Sequence, residues 1–385
     1  MQAIEGWWGV WYHPTHPIDR HAEGSVDMLE RFKVPKEDQV RVPEPSLRET
    51  VTAIFEKVGV PPDQAAEGSN TLVMSDLRGV ETHGVSNGLR HYVQQYNEGS
   101  LNPRPNWRIV REGPGSATID GDMGLGVILG PKFMEIAMEK AAEVGNGMVS
   151  AHNIGHTGAI GHFALQATEG DMLGRVTTGG AKGGTLPPFG AEPRLGTNPF
   201  AFAAPANEEP PLLFDAATTP IAGNKIRLAR RVGATLLPGW IADLDGNPIM
   251  EETPVPDDGD FYFPPLGGTR EMGSHKGFGF SLLTVVLGPM LAGIDATEAS
   301  GHSFTAHNIA AFTDVDRFKS NMDRMLRSLR DTKPAPGHDR VFYPGLPEYE
   351  EEADRRANGI PLHREVVDWF EDICSELSVP RLQTT

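Results

Sequence analysis

The sequence predicts an α/β fold in which helical segments from both chain ends flank a mixed α/β centre. Amphipathic helical patterns occur near the start of the chain, at 46–58, and return near its end, at 366–377. Between them, short apolar runs bounded by glycine and proline are typical of strands. A glycine pattern that resembles a dinucleotide fingerprint lacks the surroundings that a Rossmann fold needs, so we predict a fold of another type.

The first helices have marked ends. Ser46-Leu-Arg-Glu49 matches a capping box and predicts a helix start at Ser46, and Gly59 predicts its end. A second helix is predicted over 63–77. Pro131, a residue favoured in the first turn, predicts the start of a third helix that ends at Gly145.

In the middle of the chain, patterns typical of strands occur between patterns typical of helices. Four strands are predicted at Met148–Ala151, Val176–Thr178, Phe200–Ala204 and Leu212–Phe214. Helical patterns are predicted near His162–Glu169, Gly277–Leu291, 315–329 and 366–377.

Composition limits the class of protein. The net charge of −18 argues against a nucleic-acid-binding surface, which needs clustered cations. The single cysteine, Cys374, excludes an internal disulfide framework and a cysteine-based zinc cluster, and it fits a reducing cytoplasm. No targeting signal is recognisable, and Pro289 interrupts the one long uncharged stretch, Gly277–Ile294, which we therefore expect to be a buried helix and not a membrane span. Residues 1–31 show no sustained period and are expected to be an appended extension.

The segment Gly124-Leu-Gly126-Val-Ile-Leu-Gly130 is the glycine pattern in question. A Rossmann fingerprint also needs an acidic residue at the end of the next strand, to bind the ribose. The next predicted strand ends instead in His152-Asn153. The glycines are therefore expected to form a tight turn and a close helix contact.

Two segments concentrate groups that suit catalysis. Asp76 to Val85 places a carboxylate, a guanidinium and the imidazole of His83 around two glycines. His152 to His162 follows a strand and opens a helix, where backbone N–H groups collect anionic ligands, and imidazole is suited to proton transfer near neutral pH. His152 and His156 also have the i, i+4 spacing of zinc ligands, but the glycines between them disfavour a regular helix and no HExxH glutamate is present.

The order of the motifs then becomes specific. The chain contains, in order, SDLRGVETHGV (Ser75–Val85), DGDMGLG (Asp120–Gly126), HNIGHTGAIGHFA (His152–Ala164), PFGAEPRLGTNPFAFAAP (Pro188–Pro205), FDAATTPIAGNKI (Phe214–Ile226), PLGG (Pro265–Gly268), KGFGFSL (Lys276–Leu282), YPGLPEYE (Tyr343–Glu350) and NGIPL (Asn358–Leu362). This series resembles the malate/L-lactate dehydrogenase family, which also contains sulfolactate, ureidoglycolate and diketogulonate enzymes and a cyclic-imine reductase. The resemblance runs from about residue 32 to 375.

The resemblance implies a non-Rossmann fold like that of L-sulfolactate dehydrogenase, an intertwined homodimer, and NAD or NADP as cofactor. It implies a helical substrate domain at 32–120, to which 301–385 return, and a cofactor-binding domain at 121–300. His156 matches the family's catalytic histidine, and His83 matches the histidine of its SHG motif. The implied cofactor-binding residues are Thr157, Gly158, Ala159, Thr178, Gly179, Gly180, Gly196, Thr197, Asn198, Asp215, Ala216 and Ala217, with Lys225 and Lys276 contributing charge.

The chain departs from the family pattern near the substrate. Thr82 stands where serine is frequent, Asn87 stands where many members have an arginine, and a tyrosine landmark is displaced by one residue to Tyr92. Arg90 or Arg78 is therefore expected to bind the substrate carboxylate, for which a guanidinium fork is suited.

The sequence thus predicts a hydride transfer between a nicotinamide cofactor and a small 2-hydroxy or 2-keto acid, with His156 moving the proton. Reduction of a cyclic imine or a diketo sugar acid remains an alternative, as do a histidine-dependent metallohydrolase and a non-catalytic binding protein. The exact substrate, the choice between NAD and NADP and the physiological direction are left open.

Overall fold

The computed structural model describes residues 30–181 and 183–384, so most of the predicted extension, 1–31, lies outside the described residues. Within the described ranges there are nine strands and ten α-helices. The strands are β1 Gln39–Val42, β2 Arg108–Gly113, β3 Ser116–Gly124, β4 Asn146–Ile154, β5 Met172–Gly179, β6 Phe200–Ala204, β7 Leu212–Ala216, β8 Gly301–Asn308 and β9 Ile360–His363. The helices are α1 Glu44–Lys57, α2 Pro62–Leu77, α3 Leu89–Asn97, α4 Gly126–Val144, α5 Gly161–Glu169, α6 Gly223–Val232, α7 Ser274–Val285, α8 Val315–Arg330, α9 Leu346–Asn358 and α10 Arg364–Leu377.

The predicted mixed central sheet is confirmed. The described residues form a sheet of seven strands in the order β2-β3-β4-β8-β5-β6-β7. Only β3 and β4 run parallel in it, and the other neighbours are antiparallel. Helices α4 and α5 cover one face, where Phe133, Phe163 and Phe304 pack ring against ring. No Rossmann-type parallel sheet is present in the part of the chain that the structure describes.

The helical part formed by both chain ends is also confirmed. Strand β1 pairs with β9, with Val42 opposite Ile360. One hydrophobic core joins α1, α2 and α3 to α10, and Phe55, Tyr92 and Phe370 are buried in it. Burial of each such side chain stabilises the fold by about 1.5–3 kcal/mol. The two ends of the chain are therefore held together by a shared core.

Helix α1 does not begin as predicted. It begins at Glu44, and Pro45 occupies its first turn, where the missing N–H costs nothing. The hydroxyl of Ser46 accepts a hydrogen bond from the backbone N–H of Gln383 (2.8 Å). The predicted capping box at Ser46 is therefore wrong, because the helix begins two residues earlier and Ser46 lies within its first turn.

Helix α4 begins at Gly126, five residues before the predicted start, so Pro131 lies inside it. Proline has no N–H to donate to the carbonyl four residues earlier. That carbonyl, of Val127, accepts instead from the hydroxyl of Thr71 (2.9 Å). The close helix contact predicted for the glycines is confirmed, since a Cβ on Gly130 would lie 2.5 Å from the ring of Phe163.

Two strands of the central sheet and part of a third lie outside the range 121–300 that the family resemblance implies for cofactor binding. Strand β2, most of β3 and all of β8 belong to the central sheet. Residues 108–120 and 301–308 thus join the sheet, and not the helical part. Strand β8 was not predicted because six of its eight residues are buried, so that its sequence does not alternate between apolar and polar.

The uncharged stretch 277–294 forms most of α7 and a π-helical turn, Val286–Met290. Thr284 packs on β5, but Phe280, Leu283 and Met290 are exposed. The prediction of a buried helix is therefore wrong for one face. Among the described residues, every helix is too short or too polar to cross a lipid bilayer.

Candidate functional site

His156 lies in the loop between β4 and α5 and is exposed in the described chain. Surrounding protein atoms nonetheless desolvate the charged form of its ring. This desolvation lowers the pKa of His156 to about 3, and the neighbouring His83, His302, His91 and Arg227 lower it further. Without an anion beside it, the imidazole is therefore neutral at pH 7.

A tyrosine and a backbone amide orient the His156 ring. The hydroxyl of Tyr92, on α3, lies 2.6 Å from Nδ1, and the N–H of Gly158 lies 3.3 Å from the same atom. Because a backbone N–H only donates, Nδ1 accepts, and the neutral ring carries its proton on Nε2. Burial raises the pKa of Tyr92, so its phenol stays protonated. Nε2 is thus the nitrogen that remains to meet a substrate oxygen.

His83 lies against this ring. The two imidazole centroids are 5.8 Å apart and nearly parallel, at 15°. The hydroxyl of Thr82 lies 2.9 Å from Nδ1 of His83, so the threonine keeps a polar contact at this position. Burial, with a contribution from Lys225, lowers the pKa of His83 to about 4. Lys225 is half-buried on α6, with Nζ 4.7 Å from the ring centre of Phe32.

A buried polar cluster, in which Arg355 and Glu81 form an ion pair, holds the loop that carries His83. A carboxylate oxygen of Asp76 accepts from the N–H of Val85 (2.7 Å). Arg355 donates to the backbone oxygen of Asp76 (2.7 Å) and to Glu81 (2.8 Å). A Cβ on Gly84 would lie 2.0 Å from the Asp76 carboxylate, so only glycine fits there.

The segments expected to bind the cofactor lie side by side, beginning next to His156. The hydroxyls of Thr157 and Thr178 are 3.3 Å apart, and the N–H of Gly180 donates to Asn198 (3.1 Å). The N–H of Gly196 donates to the carbonyl of Gly180 (2.8 Å). We call the strip formed by these segments the hydroxyl strip; its predicted members are Thr157, Gly158, Ala159, Thr178, Gly179, Gly180, Gly196, Thr197, Asn198, Asp215, Ala216 and Ala217.

Hydrogen bonds also hold the remaining members of the hydroxyl strip in place. The carbonyl of Thr197 accepts from the N–H of Thr218 (2.8 Å), which follows Ala217 directly. The Asp215 carboxylate accepts from the N–H of Gly161 at the start of α5 (2.6 Å), and burial raises its pKa to about 6. Lys276 lies exposed in the first turn of α7. Hydroxyls, small side chains and backbone donors beside an imidazole are groups that suit a dinucleotide.

The zinc alternative depends on a helix that does not form. His152 belongs to the extended strand β4, and His156 follows in a loop. The two rings therefore do not have the spacing of a helical ligand pair. Among residues 30–181 and 183–384, no three His, Cys, Asp or Glu side chains cluster in a way that suits a metal ion.

The two predicted carboxylate-binding arginines lie in different places. Arg78 ends α2 and donates to Glu352 on α9 (2.9 Å), which argues against a role in substrate binding. Arg90 projects from α3 into an open pocket of about 210 Å³. We call this pocket the arginine pocket. It is lined by Ser86, Asn87, Arg90, His91, Gln94, Arg227 and Arg231.

Four residues at this site were not predicted. Tyr92 was noted only as a displaced landmark, although it makes the shortest contact with His156. Arg227 and Arg231 share the basic helix α6, whose composition was the available signal. His302, whose Nδ1 lies 3.0 Å from the hydroxyl of Thr178, is on the unpredicted strand β8.

Comparison with known proteins agrees with this architecture. The sequence profile described as malate/L-lactate dehydrogenase matches residues 42–371. Malate dehydrogenase from Pyrococcus horikoshii is 35% identical over 357 residues, which cover 90% of this chain and 98% of that protein. Its solved structure superposes with a TM-score of 0.80, again over 90% and 98% of the two chains.

Two further relatives have other substrates in their names. L-sulfolactate dehydrogenase from Methanocaldococcus jannaschii is 30% identical over 86% of this chain and 96% of that protein, and its structure gives a TM-score of 0.78 over 88% and 98%. Ureidoglycolate dehydrogenase (NAD(+)) from Escherichia coli is 29% identical over 84% of this chain and 94% of that protein. The fold and the order of motifs agree with these proteins. The chain therefore belongs to the malate/L-lactate dehydrogenase family and is a dehydrogenase that acts on the CH–OH group of hydroxy acids.

Proposed function

We propose that this chain transfers a hydride between NAD or NADP and a small 2-hydroxy or 2-keto acid. The observation that carries the proposal is the position of His156. Its ring precedes Thr157 of the hydroxyl strip on one side, and on the other it contacts Tyr92, the residue after the pocket-lining His91. A proton-transfer group thus lies between a surface suited to a dinucleotide and one suited to a carboxylate. The NAD(+) in the name of the ureidoglycolate relative supports a nicotinamide cofactor.

The hydroxyl strip would hold the cofactor, with Lys225 and Lys276 contributing positive charge. When bound, the nicotinamide supplies or accepts the hydride. Hydroxyls of Thr157 and Thr178 and the backbone of the strip would orient it. Arg90 would bind the substrate carboxylate, and His83 would line the space between substrate and cofactor.

His156 would give its Nε2 proton to the carbonyl oxygen during reduction and take it back during oxidation. A substrate carboxylate beside the ring favours the imidazolium form and raises the pKa of His156 from its low value in the empty site. In the imidazolium, Nδ1 also carries a proton. The hydroxyl of Tyr92 then accepts from Nδ1 where it had donated, because a phenol does both.

The test is a screen of NADH and NADPH oxidation against pyruvate, oxaloacetate, sulfopyruvate, diketogulonate and a cyclic imine. His156→Ala is expected to lower turnover by about two to four powers of ten, the usual contribution of general acid–base catalysis. Dinucleotide binding, followed by fluorescence titration, is expected to persist. His152→Ala, a histidine four residues earlier on β4, is the matched control.

Unchanged turnover in H156A would refute the role of His156. Reduction of the cyclic imine or of diketogulonate alone would favour the corresponding alternative reductase. Absence of any oxidation with all substrates would favour a binding protein. Metal analysis of the purified protein tests the hydrolase alternative.

We also infer a homodimer and a cytoplasmic location. Exposed apolar side chains follow one face of α7 and the turn after it, among them Phe280, Leu283 and Met290. A face of this kind favours contact with another chain, and light scattering of the purified protein measures its oligomeric state. The buried thiol of Cys374 fits a reducing compartment, which cell fractionation tests.

A further inference from the structure

A second pocket lies on the face of the central sheet that α4 and α5 do not cover. It has a volume of about 530 Å³ and lies where β4 and β5 begin and β8 ends, beside helix α8. We call it the sheet-end pocket. Its lining includes four apolar residues and two polar ones, Leu173, Ile309, Phe312, Phe318, Asn146 and His307. Apolar pockets of this size with few polar groups are typical of sites for small molecules.

The sheet-end pocket is separate from the candidate active site. Asn146, which lines the pocket, is the first residue of β4, whereas His156 follows the end of that strand. Strand β4 has nine residues, so it is roughly 30 Å long at about 3.3 Å per residue. The pocket and the catalytic residues that we propose therefore lie at opposite ends of the sheet.

Arg175 extends from the same side of the sheet as the pocket. Alternate residues of a strand share a face, so Arg175 lies on the face of β5 that also carries Leu173. Its neighbour on β8 is Thr305, two residues before His307, and its guanidinium donates to the Thr305 hydroxyl (3.2 Å). The charge of Arg175 is close enough to lower the pKa of His307. A cation thus lies beside the polar end of an apolar pocket.

The charge of Arg175 is not compensated by the described chain. Its Nε is buried and has no hydrogen-bond partner among residues 30–181 and 183–384. Desolvation lowers its pKa, and no carboxylate in the described ranges is near enough to oppose this effect. Lys319, next to Phe318 on α8, differs because it pairs with Asp171 (2.9 Å). Since an uncompensated, partly buried charge costs free energy, an anion beside Arg175 would stabilise the protein.

We propose that the sheet-end pocket binds a carboxylic acid with an apolar body, either aliphatic or aromatic. The carboxylate pairs with Arg175, because a guanidinium fork matches its two oxygens. The apolar body packs against Phe312 and Phe318 and is removed from water. This site goes beyond the proposed function, because it needs neither the cofactor nor His156.

The experiment is a calorimetric titration of the purified full chain with octanoate and with 3-phenylpropionate. Saturable binding of at least one of the two acids is expected. Octan-1-ol, which has the apolar body without the charge, and acetate, which has the charge without the body, are each expected to bind at least tenfold more weakly. Preference for octanoate or for 3-phenylpropionate distinguishes an aliphatic from an aromatic ligand.

Two variants test the two halves of the site. Arg175→Met is expected to weaken binding by about ten- to a hundredfold, as for loss of a hydrogen bond to a charged group. Phe312→Ala is expected to weaken it by about tenfold through lost apolar contact. The Phe312 side chain is 68% exposed, so its removal is expected to leave the fold intact. If Arg175→Met does not fold, Phe312→Ala decides.

The controls are an aromatic residue and an arginine outside the pocket. Phe342 is also exposed, but it lies under the guanidinium of Arg340 (4.3 Å), so Phe342→Ala is expected to keep the wild-type affinity. Arg90→Met removes a cation of the arginine pocket and is expected to keep it as well. That variant separates the sheet-end pocket from binding of the same acids at the candidate active site.

Thermal unfolding gives a second readout of Arg175. Methionine at this position removes the uncompensated charge, so the Tm of Arg175→Met without added acid is expected to equal or exceed that of the wild type. Octanoate is expected to raise the Tm of the wild type, because it binds the folded chain, and to raise that of Arg175→Met much less.

Three results would overturn the proposal. The first is no saturable binding of either acid, and the second is equal affinity in Arg175→Met and the wild type. The third is binding that Arg90→Met abolishes, which would place the acids at the candidate active site. If neither acid binds and Phe312→Ala changes the mass measured by light scattering, the pocket is instead a contact between copies of this chain. None of these results bears on the proposed function, which cofactor oxidation tests separately.

Discussion

Removal of one hydroxyl from Tyr92 tests how this residue positions His156, the imidazole that we propose to be catalytic. The Tyr92 ring is 1% exposed within the helical core, and its oxygen lies 2.6 Å from Nδ1 of His156. Tyr92→Phe keeps the packed ring and deletes only the group that contacts the imidazole. The fold is therefore expected to persist while the state of His156 changes.

The magnitude follows from the charge on His156 during the reaction. A hydrogen bond between neutral groups contributes about 0.5–1.5 kcal/mol, and one to a charged group about 1.5–3 kcal/mol. The difference acts on the imidazolium form, in which Tyr92 accepts from Nδ1. That difference is about 1–1.5 kcal/mol, so at about 1.4 kcal/mol for each factor of ten kcat for keto-acid reduction is expected to fall by about five- to tenfold.

The pH profile gives a second signature. Reduction needs protonated His156, so its rate falls as the pH rises through the pKa of that group in the substrate complex. Loss of the tyrosine oxygen destabilises the imidazolium and lowers this pKa. In Y92F, the decline of kcat is therefore expected to begin at a lower pH than in the wild type.

The assay is steady-state oxidation of the reduced cofactor with a saturating keto acid between pH 5 and 9. Tyr96→Phe is the control, because Tyr96 lies one turn further along α3 and is also buried. A Y92F variant with the rate and pH profile of Y96F would refute the assignment of Tyr92 as the residue that positions His156.

Two predictions concern stability. A Cβ on Gly174 would lie 2.0 Å from the backbone oxygen of Ala164, so Gly174→Ala is expected to lower the free energy of unfolding by about 1–3 kcal/mol or more and to lower the Tm. Gly223→Ala is the control, because a Cβ on Gly223 would have no atom within 4 Å and is expected to have little effect. Equal Tm values for the two variants would contradict the packing of α5 on β5. Burial raises the pKa of Asp76 to about 8, so its contribution to stability is complete below the unfolded-state pKa of about 3.9 and is lost as the pH rises through 8. Asn does not ionise, so the Tm of Asp76→Asn relative to the wild type is expected to rise between pH 4 and 8, and a difference independent of pH would contradict a protonated Asp76.

Local patterns in the sequence were sufficient to predict those helices and strands whose signals lie within one segment. Helix α2, Pro62–Leu77, begins one residue before its predicted start, and β6 coincides with the predicted strand. Gly59 and Gly145 end helices as predicted, because both adopt positive φ, at 99° and 89°. The order of the motifs also identified the family, since each motif is itself a short run of residues.

Tertiary structure decided the features that depend on distant partners. Ser46 lies inside α1, which begins at Glu44, and its hydroxyl accepts from the N–H of Gln383, 337 positions away. Pro131 is accommodated inside α4 because Thr71 satisfies the carbonyl that proline leaves unpaired. Strand β8 lies between β4 and β5, a position that its own residues do not signal.

The same division applies to the site. The sequence by itself determined the family and singled out His156 and His83. Only the folded chain placed Tyr92 on Nδ1, directed Arg78 to Glu352 and brought Arg231 beside Asn87. Periodicity and capping act over a few residues along the chain. Hydrogen bonds and ion pairs depend on which side chains the packed elements bring within about 3 Å, and that is a property of the whole fold.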